Sequence, residues 1–361
     1  MTDCQMQFYG NQVISSASNG LNGIVVNGFS SDVLVGGVRY HQMNVVGNQN
    51  NSVASSGINI GGVNTKVLGN FIGTTSTGTG TLSNAVGISV QPNPGINYIG
   101  GIYDSPARNL ISANISGNIK LFGTSDTRIK GNVIGTDVST NATLGVPAAG
   151  IEVFSNASAE IGGLNKGEGN IFGFNTIAIL INISPAPVTV FGNLIGISPN
   201  PPGAFPPIPN STGIVVLGGN GNVAIGNGTY AGRNYVSGNS TVGIYMDGTN
   251  QQLISGNFIG MKPDHTAAGN GSHGIHLVNS AIQNQILDNV VSGNGGTGIF
   301  LNGAGGSNVI NNNHVGADST GTSTASNAIG ISVDSGIPTT FISNNLVSGN
   351  TSSGIDLNLS M

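Results

Sequence analysis

A short apolar tetrapeptide returns twelve times along the chain, at spacings of 24 to 35 residues, and this recurrence constrains the fold more than any other feature. It reads GIVV from Gly23, GINI from Gly57, GISV from Gly87, NIKL from Asn118, GIEV from Gly150 and AILI from Ala178. It continues as GIVV from Gly213, GIYM from Gly243, GIHL from Gly274, GIFL from Gly298, GISV from Gly330 and GIDL from Gly354. In GIxV the first and third apolar residues face one side of a strand and the residue between them faces the other. A fixed strand with connectors of changing length is the signature of a solenoid. No helical period accompanies it, which excludes leucine-rich and α-helical repeats, and the coils are too long for a hexapeptide-type left-handed helix. The sequence therefore predicts an all-β, right-handed parallel β-helix of about twelve coils, one unit spanning residues 1–361.

A second marker lies between these strands. GNFIG (Gly69–Gly73), GNVIG (Gly131–Gly135), GNLIG (Gly192–Gly196), GNFIG (Gly256–Gly260) and NNHVG (Asn312–Gly316) alternate with NLISAN from Asn109, NIFGFN from Asn170, NYVSGN from Asn234, NVVSGN from Asn289 and NLVSGN from Asn345. The unit is thus a two-coil super-repeat in which every other coil carries a longer loop. The recurrent Asn70, Asn132, Asn193, Asn257 and Asn313, with Asn109, Asn170, Asn234, Asn289 and Asn345 between them, are expected to stack inward and bond to one another and to turn backbone.

Sixty glycines, no tryptophan and 6% charged residues suggest disorder at first sight, but 38% of residues are hydrophobic and recur in register, which argues against it. A net charge of −5 with nine Lys and Arg makes nucleic acid a poor partner. No run approaches the roughly 18 apolar residues of a membrane span, so no membrane insertion is expected. MTDCQMQFYG lacks the basic region and apolar core of a signal peptide. Cys4 is the only cysteine, which excludes an internal disulfide and a Cys-based zinc cluster. FYGNQVIS reads as the second half of a coil and GIDLNLSM as an unfinished one, so both ends are expected to be uncapped, in a segment of a longer chain or a subunit of an assembly. The Pro-rich stretch 199–209 is expected to be a surface loop.

The alternation of GNxIGT…GIxV with IGG…GNxISGN resembles the pectate-lyase-like right-handed parallel β-helix superfamily, and more closely the repeat arrays of bacterial surface, adhesin-like or phage tail proteins. That resemblance implies the fold. It leaves activity open, because the superfamily includes lyases, hydrolases, epimerases, adhesins and tailspikes.

Glycoside hydrolysis needs two carboxylates facing one bond, and the 14 Asp and Glu here are scattered. Of the polygalacturonase-like motifs, only HG at His273-Gly274 and RIK at Arg128-Ile129-Lys130 occur, in reversed order. A lyase needs a base, often with Ca²⁺. Its candidate catalytic set would be Lys120, Asp126, Arg128, Lys130 and Glu152, for which the alternative is a surface ion-pair cluster. No metal site or cofactor is expected; Asp137 and Asp318 read as Asx-turn formers.

The outward residues of the recurrent strand form a stripe from Leu180 through Val215, Tyr245, His276 and Phe300, in which Tyr245, His276 and Phe300 are the candidate binding residues. It would serve as a platform for sugar rings or for another chain, or be covered by the Pro-rich insertion. The outward list holds no Thr, which argues against an ice-binding face. The sequence thus points to a non-enzymatic extracellular structural and binding protein, surface adhesin-like or a virion component. Its expected partners are glycans or protein subunits, including further copies of itself. The alternative is a lyase or hydrolase acting on an acidic polysaccharide.

Overall fold

The computed structural model describes residues 6–15, 22–49, 55–93, 95–102, 105–154, 156–182, 186–219, 222–334 and 339–358; Cys4 lies outside them. Their strands pair into three twelve-stranded parallel sheets wound as a right-handed β-helix. Each coil contributes one strand to sheet A, one to sheet B and one to sheet C, in that order. The first coil supplies Gln7–Phe8, Gln12–Ile14 and Asn22–Val26, and the last supplies Phe341–Ser343, Leu346–Val347 and Ser353–Asn358. The recurrent tetrapeptide is the sheet C strand, paired in the register its repeat implies, Ile119 opposite Ile151 and Ile151 opposite Ile179. The one helical element among the described residues is a 3-10 turn, Tyr40–Gln42.

The core is a single column fed by alternate residues of all three sheets. Ile151 and Val153 from sheet C, Ile161 from sheet A and Phe172 from sheet B are fully buried in it. Each coil covers its apolar residues only with its neighbours, so stability accumulates from nearest-neighbour contacts.

Two columns of side-chain amides run along this core. At the turn from sheet A to sheet B, twelve asparagines form one ladder: Asn11, Asn44, Asn70, Asn109, Asn132, Asn170, Asn193, Asn234, Asn257, Asn289, Asn313 and Asn345. Each Nδ2 donates to the next Oδ1 at 2.9–3.2 Å. The two asparagine series of the super-repeat are thus one column. Asn132 is fully buried, and its Nδ2 also donates to the Ile99 carbonyl at 2.9 Å.

A second column runs at the turn from sheet B to sheet C through Asn84, Asn114, Asn175, Asn210, Asn239, Asn270, Asn294, Asn327 and Asn350. Pro147 occupies the rung between Asn114 and Asn175, its carbonyl accepting from Thr176 as that of Asn84 accepts from Ile115. Asn118 fills the gap: it accepts from Asn114 at 2.8 Å and donates to Asn175 at 3.1 Å.

Loops alternate between two edges, and this produces the super-repeat. Coils three, five, seven, nine and eleven carry a loop between sheets B and C, closed by antiparallel bridges such as Thr74 with Thr81 and Thr136 with Thr143. These five loops lie over the outer face of sheet B and bond to one another. Val138 N–H donates to the Gly78 carbonyl, Thr140 and Ser198 share a hydroxyl bond of 2.7 Å, Lys262 Nζ donates to the Ala204 carbonyl, and His265 meets Ser319 at 2.8 Å. They shield outward apolar residues of sheet B. Leu110, Val133 and Ile171 cluster with Ile208 from the Pro-rich loop, and Phe258 and Val290 cluster with Met261 and Ala325.

Coils two, four, six and eight instead carry a loop between sheets A and B, and those of coils four and six fold against the tight Gly-Asn turn of the preceding coil. Gly69 N–H donates to the Ala107 carbonyl and Gly131 N–H to the Glu168 carbonyl. At Gly69, with φ +67°, a Cβ would lie 2.3 Å from the Pro106 carbonyl and 2.4 Å from that of Gly37, so only glycine fits between two loops.

Candidate binding surfaces

Sheet C register places Tyr245 opposite His276 and His276 opposite Phe300 on the outward face. The Tyr245 and His276 rings meet edge-to-face at 5.5 Å, and His276 stacks on Phe300 at 4.8 Å with 14° between planes. His273, from the loop before the strand, joins them at 5.0 Å from His276 and 4.9 Å from Phe300. Sequence reasoning missed its role, although HG marked its position. Its Nδ1 accepts the Thr297 N–H at 3.2 Å, which fixes that nitrogen as unprotonated.

The tract is less open than a bare outward stripe. Val215 is buried, and Leu180, Tyr245, His276 and Phe300 are half-buried. The Pro-rich loop is not what covers it, since that loop packs on sheet B. Burial pushes His276 down to about 4, helped by the neighbouring His273, which burial also holds below the ordinary histidine value. Burial raises the Tyr245 hydroxyl, and the Asp247 carboxylate adds to the shift. His276 Nε2 is buried with no hydrogen-bond partner among the described residues.

The five residues of the candidate catalytic set do not form one site. Lys120 and Glu152 face outward on sheet C, paired at 3.3 Å, with the Lys120 ammonium 5.9 Å from the Phe154 ring centre. Asp126 and Arg128 project from sheet A, and Lys130 stands at that strand's end. Their partners are two carboxylates the sequence did not single out. Glu160 lies 3.7 Å from Arg128 and 2.7 Å from Lys130, and Glu168 lies 3.4 Å from Lys130. At Glu168 burial works upward, but hydrogen bonds from Asn165 and the Lys130 charge outweigh it and hold the carboxyl below its usual value. Each cation of this set is therefore paired with a carboxylate, on two separate faces.

The Asp318 carboxylate accepts from the Thr320 hydroxyl at 2.8 Å and from the Thr320 and Thr322 N–H groups. These bonds lower its pKa to about 2 and make it a loop-forming Asx residue. Asp137 likewise accepts from Ser139, Asn141 and Ala142. Among the described residues no three His, Cys, Asp or Glu side chains converge as metal ligands would. No family model, curated protein or solved structure matches the chain, so the resemblance rests on its fold and repeat motifs.

Proposed function

We propose that the chain is a non-enzymatic binding rod of a cell surface or virion, which recognises glycans or partner subunits through side chains displayed at fixed intervals. The observation that carries this reading is the ring column on sheet C. Tyr245, His276 and Phe300 are held one strand apart by backbone pairing, so their spacing costs no ordering on binding. The pairing of Lys120, Arg128 and Lys130 with carboxylates also supports it, because none of these three cations stands apart from an acidic partner. Aromatic faces offer large apolar area and directional stacking to sugar rings or to another chain.

The test compares binding on a glycan array and to copies of the chain for the parent, for Tyr245→Ser with Phe300→Ser, and for Lys120→Ala with Glu152→Ala. The aromatic pair should lose roughly 5-fold or more per ring, about 1 kcal/mol each. The charge pair should change binding little. Binding unaffected by the aromatic pair would refute the assignment of this surface.

A further inference from the structure

The four loops at the edge between sheets A and B repeat one chemistry. They span 37–44, 100–109, 163–170 and 226–234, on coils two, four, six and eight. Each carries a cation, Arg39, Arg108, Lys166 or Arg233 in turn, and each lifts a large apolar side chain into solvent. Tyr40 is 84% exposed, Ile102 55%, Leu164 47% and Tyr230 80%. Because strands stack about 4.8 Å apart, loops on every second coil put their tips roughly 10 Å apart, in a row about 30 Å long.

The charge of this edge runs against that of the chain, which is −5 in total. Arg39 and Lys166 are exposed and enter no ion pair among the described residues. Glu168, the one carboxylate among the described residues of the four loops, is already engaged by Lys130 at 3.4 Å; Asp104 lies outside those residues. Lys66, exposed on sheet A between the first two loops, adds a fifth cation. Clefts between the tips set cations beside apolar side chains. One of about 580 Å³ is lined by Val38, Lys66, Tyr98 and Ile102, and one of about 500 Å³ by Leu164, Lys166, Tyr230 and Arg233. The Arg233 guanidinium lies 5.2 Å from the centre of the Tyr230 ring.

We infer that this edge docks on an anionic lipid surface, with the rod lying along the leaflet and the four tips entering its headgroup layer. The inference goes beyond the binding-rod reading and uses a different face from the sheet C rings, so neither depends on the other. Tyrosine rings settle where apolar surroundings meet water, and the neighbouring Lys and Arg meet lipid phosphates and carboxylates. Each cation near an anionic leaflet strengthens attachment about 5-fold, and each tip adds apolar area removed from water. The attachment is interfacial: no helix among the described residues is long and apolar enough to cross a membrane. A protein partner would call for one contiguous, close-packed apolar patch. Here the apolar side chains stand singly, with open clefts between them. Duplex nucleic acid fits poorly, since one phosphate per about 1.7 Å of axis calls for far denser cations.

The experiment sediments the full chain with vesicles of phosphatidylcholine, alone or mixed with phosphatidylserine, at low and high salt. Binding should require phosphatidylserine and fall with salt. Arg39→Glu with Lys166→Glu should lose at least about 10-fold, and Tyr40→Ser with Tyr230→Ser several-fold, both with an unchanged melting temperature. The chain has no tryptophan, so a single introduced one reports its own surroundings. Tyr40→Trp should shift its emission to the blue on the mixed vesicles. Phe29→Trp, fully exposed in the turn between sheets C and A, should not. No sedimentation with the mixed vesicles, equal binding by the charge-reversed variant, or a blue shift at Phe29→Trp without one at Tyr40→Trp overturns the inference. So does oligo-dT or polyglutamate of matched charge holding the protein as tightly as the mixed vesicles, which would make the partner a soluble polyanion.

Discussion

Replacing Asn193 by leucine tests the amide column where its bonds can be counted. Asn193 is fully buried, and its Nδ2 donates to the Ile161 carbonyl at 2.9 Å, the Phe191 carbonyl at 3.0 Å and Asn234 Oδ1 at 3.0 Å. Its Oδ1 accepts from the Asn170 backbone N–H at 2.9 Å and from Asn170 Nδ2 at 3.0 Å. Leucine has the same branched arrangement of four side-chain heavy atoms, so no cavity forms and the lost bonds dominate the effect. Asn170 Nδ2 keeps the Ile129 carbonyl and Asn234 Oδ1 keeps the Asn193 N–H, so neither is stranded. The Asn170 backbone N–H loses its side-chain acceptor inside the core. One stranded buried donor costs about 1–3 kcal/mol. The variant should therefore unfold in urea with stability lower by about 1–3 kcal/mol. Because coils couple only to neighbours, amide exchange should quicken most in the coils around Asn170, Asn193 and Asn234. A wild-type-like midpoint with unchanged exchange there would refute the reasoning.

Three further outcomes follow. Stability should decline as pH falls from about 6.5 toward 4, because the unfolded chain takes protons that native His273 and His276 refuse, and should be fully present above that window; His276→Phe should flatten the urea-midpoint profile. Gly162→Ala should destabilise by more than about 2 kcal/mol, since φ is +83° and the new Cβ would sit 1.9 Å from the Phe191 carbonyl oxygen, whereas Gly203→Ala meets nothing within 4 Å and should bear only the backbone cost; thermal melts of the two separate close approach from φ alone. Asn118→Ala should break the second amide column at its bridged rung, lowering stability by about 1–3 kcal/mol in denaturant melts, whereas Asn302→Ala, exposed at a strand end, should not.

Much of the fold was legible because one strand per coil keeps its Gly-Ile-x-Val chemistry. That strand set the register of sheet C, and with it the pairings of Lys120 with Glu152 and of Tyr245 through His276 to Phe300. The first amide column was legible in the recurrent GN and N-x-[IV] motifs. Sheet A was harder to read: its strands, such as Asp126–Ile129 and Ser158–Gly162, carry no fixed marker. Glu160 and Glu168 therefore went unnoticed as partners of Arg128 and Lys130, and two faces were read as one cluster. The Pro-rich insertion announced a loop but not the edge it would cover, because the long B-to-C loops bond to one another only in three dimensions. Pro147 likewise hid the second column by interrupting its asparagines, and Asn118 restores it from the preceding coil.

The central claim is that this rod binds and does not cut. Prolonged incubation with polygalacturonate and other acidic polysaccharides, followed by chain-length analysis of the recovered polymer, tests it most directly. The account predicts polymer retained on the protein with its length distribution unchanged. A distribution shifting to shorter chains with time and enzyme concentration, and abolished by substituting Lys130 and Glu160, would contradict it.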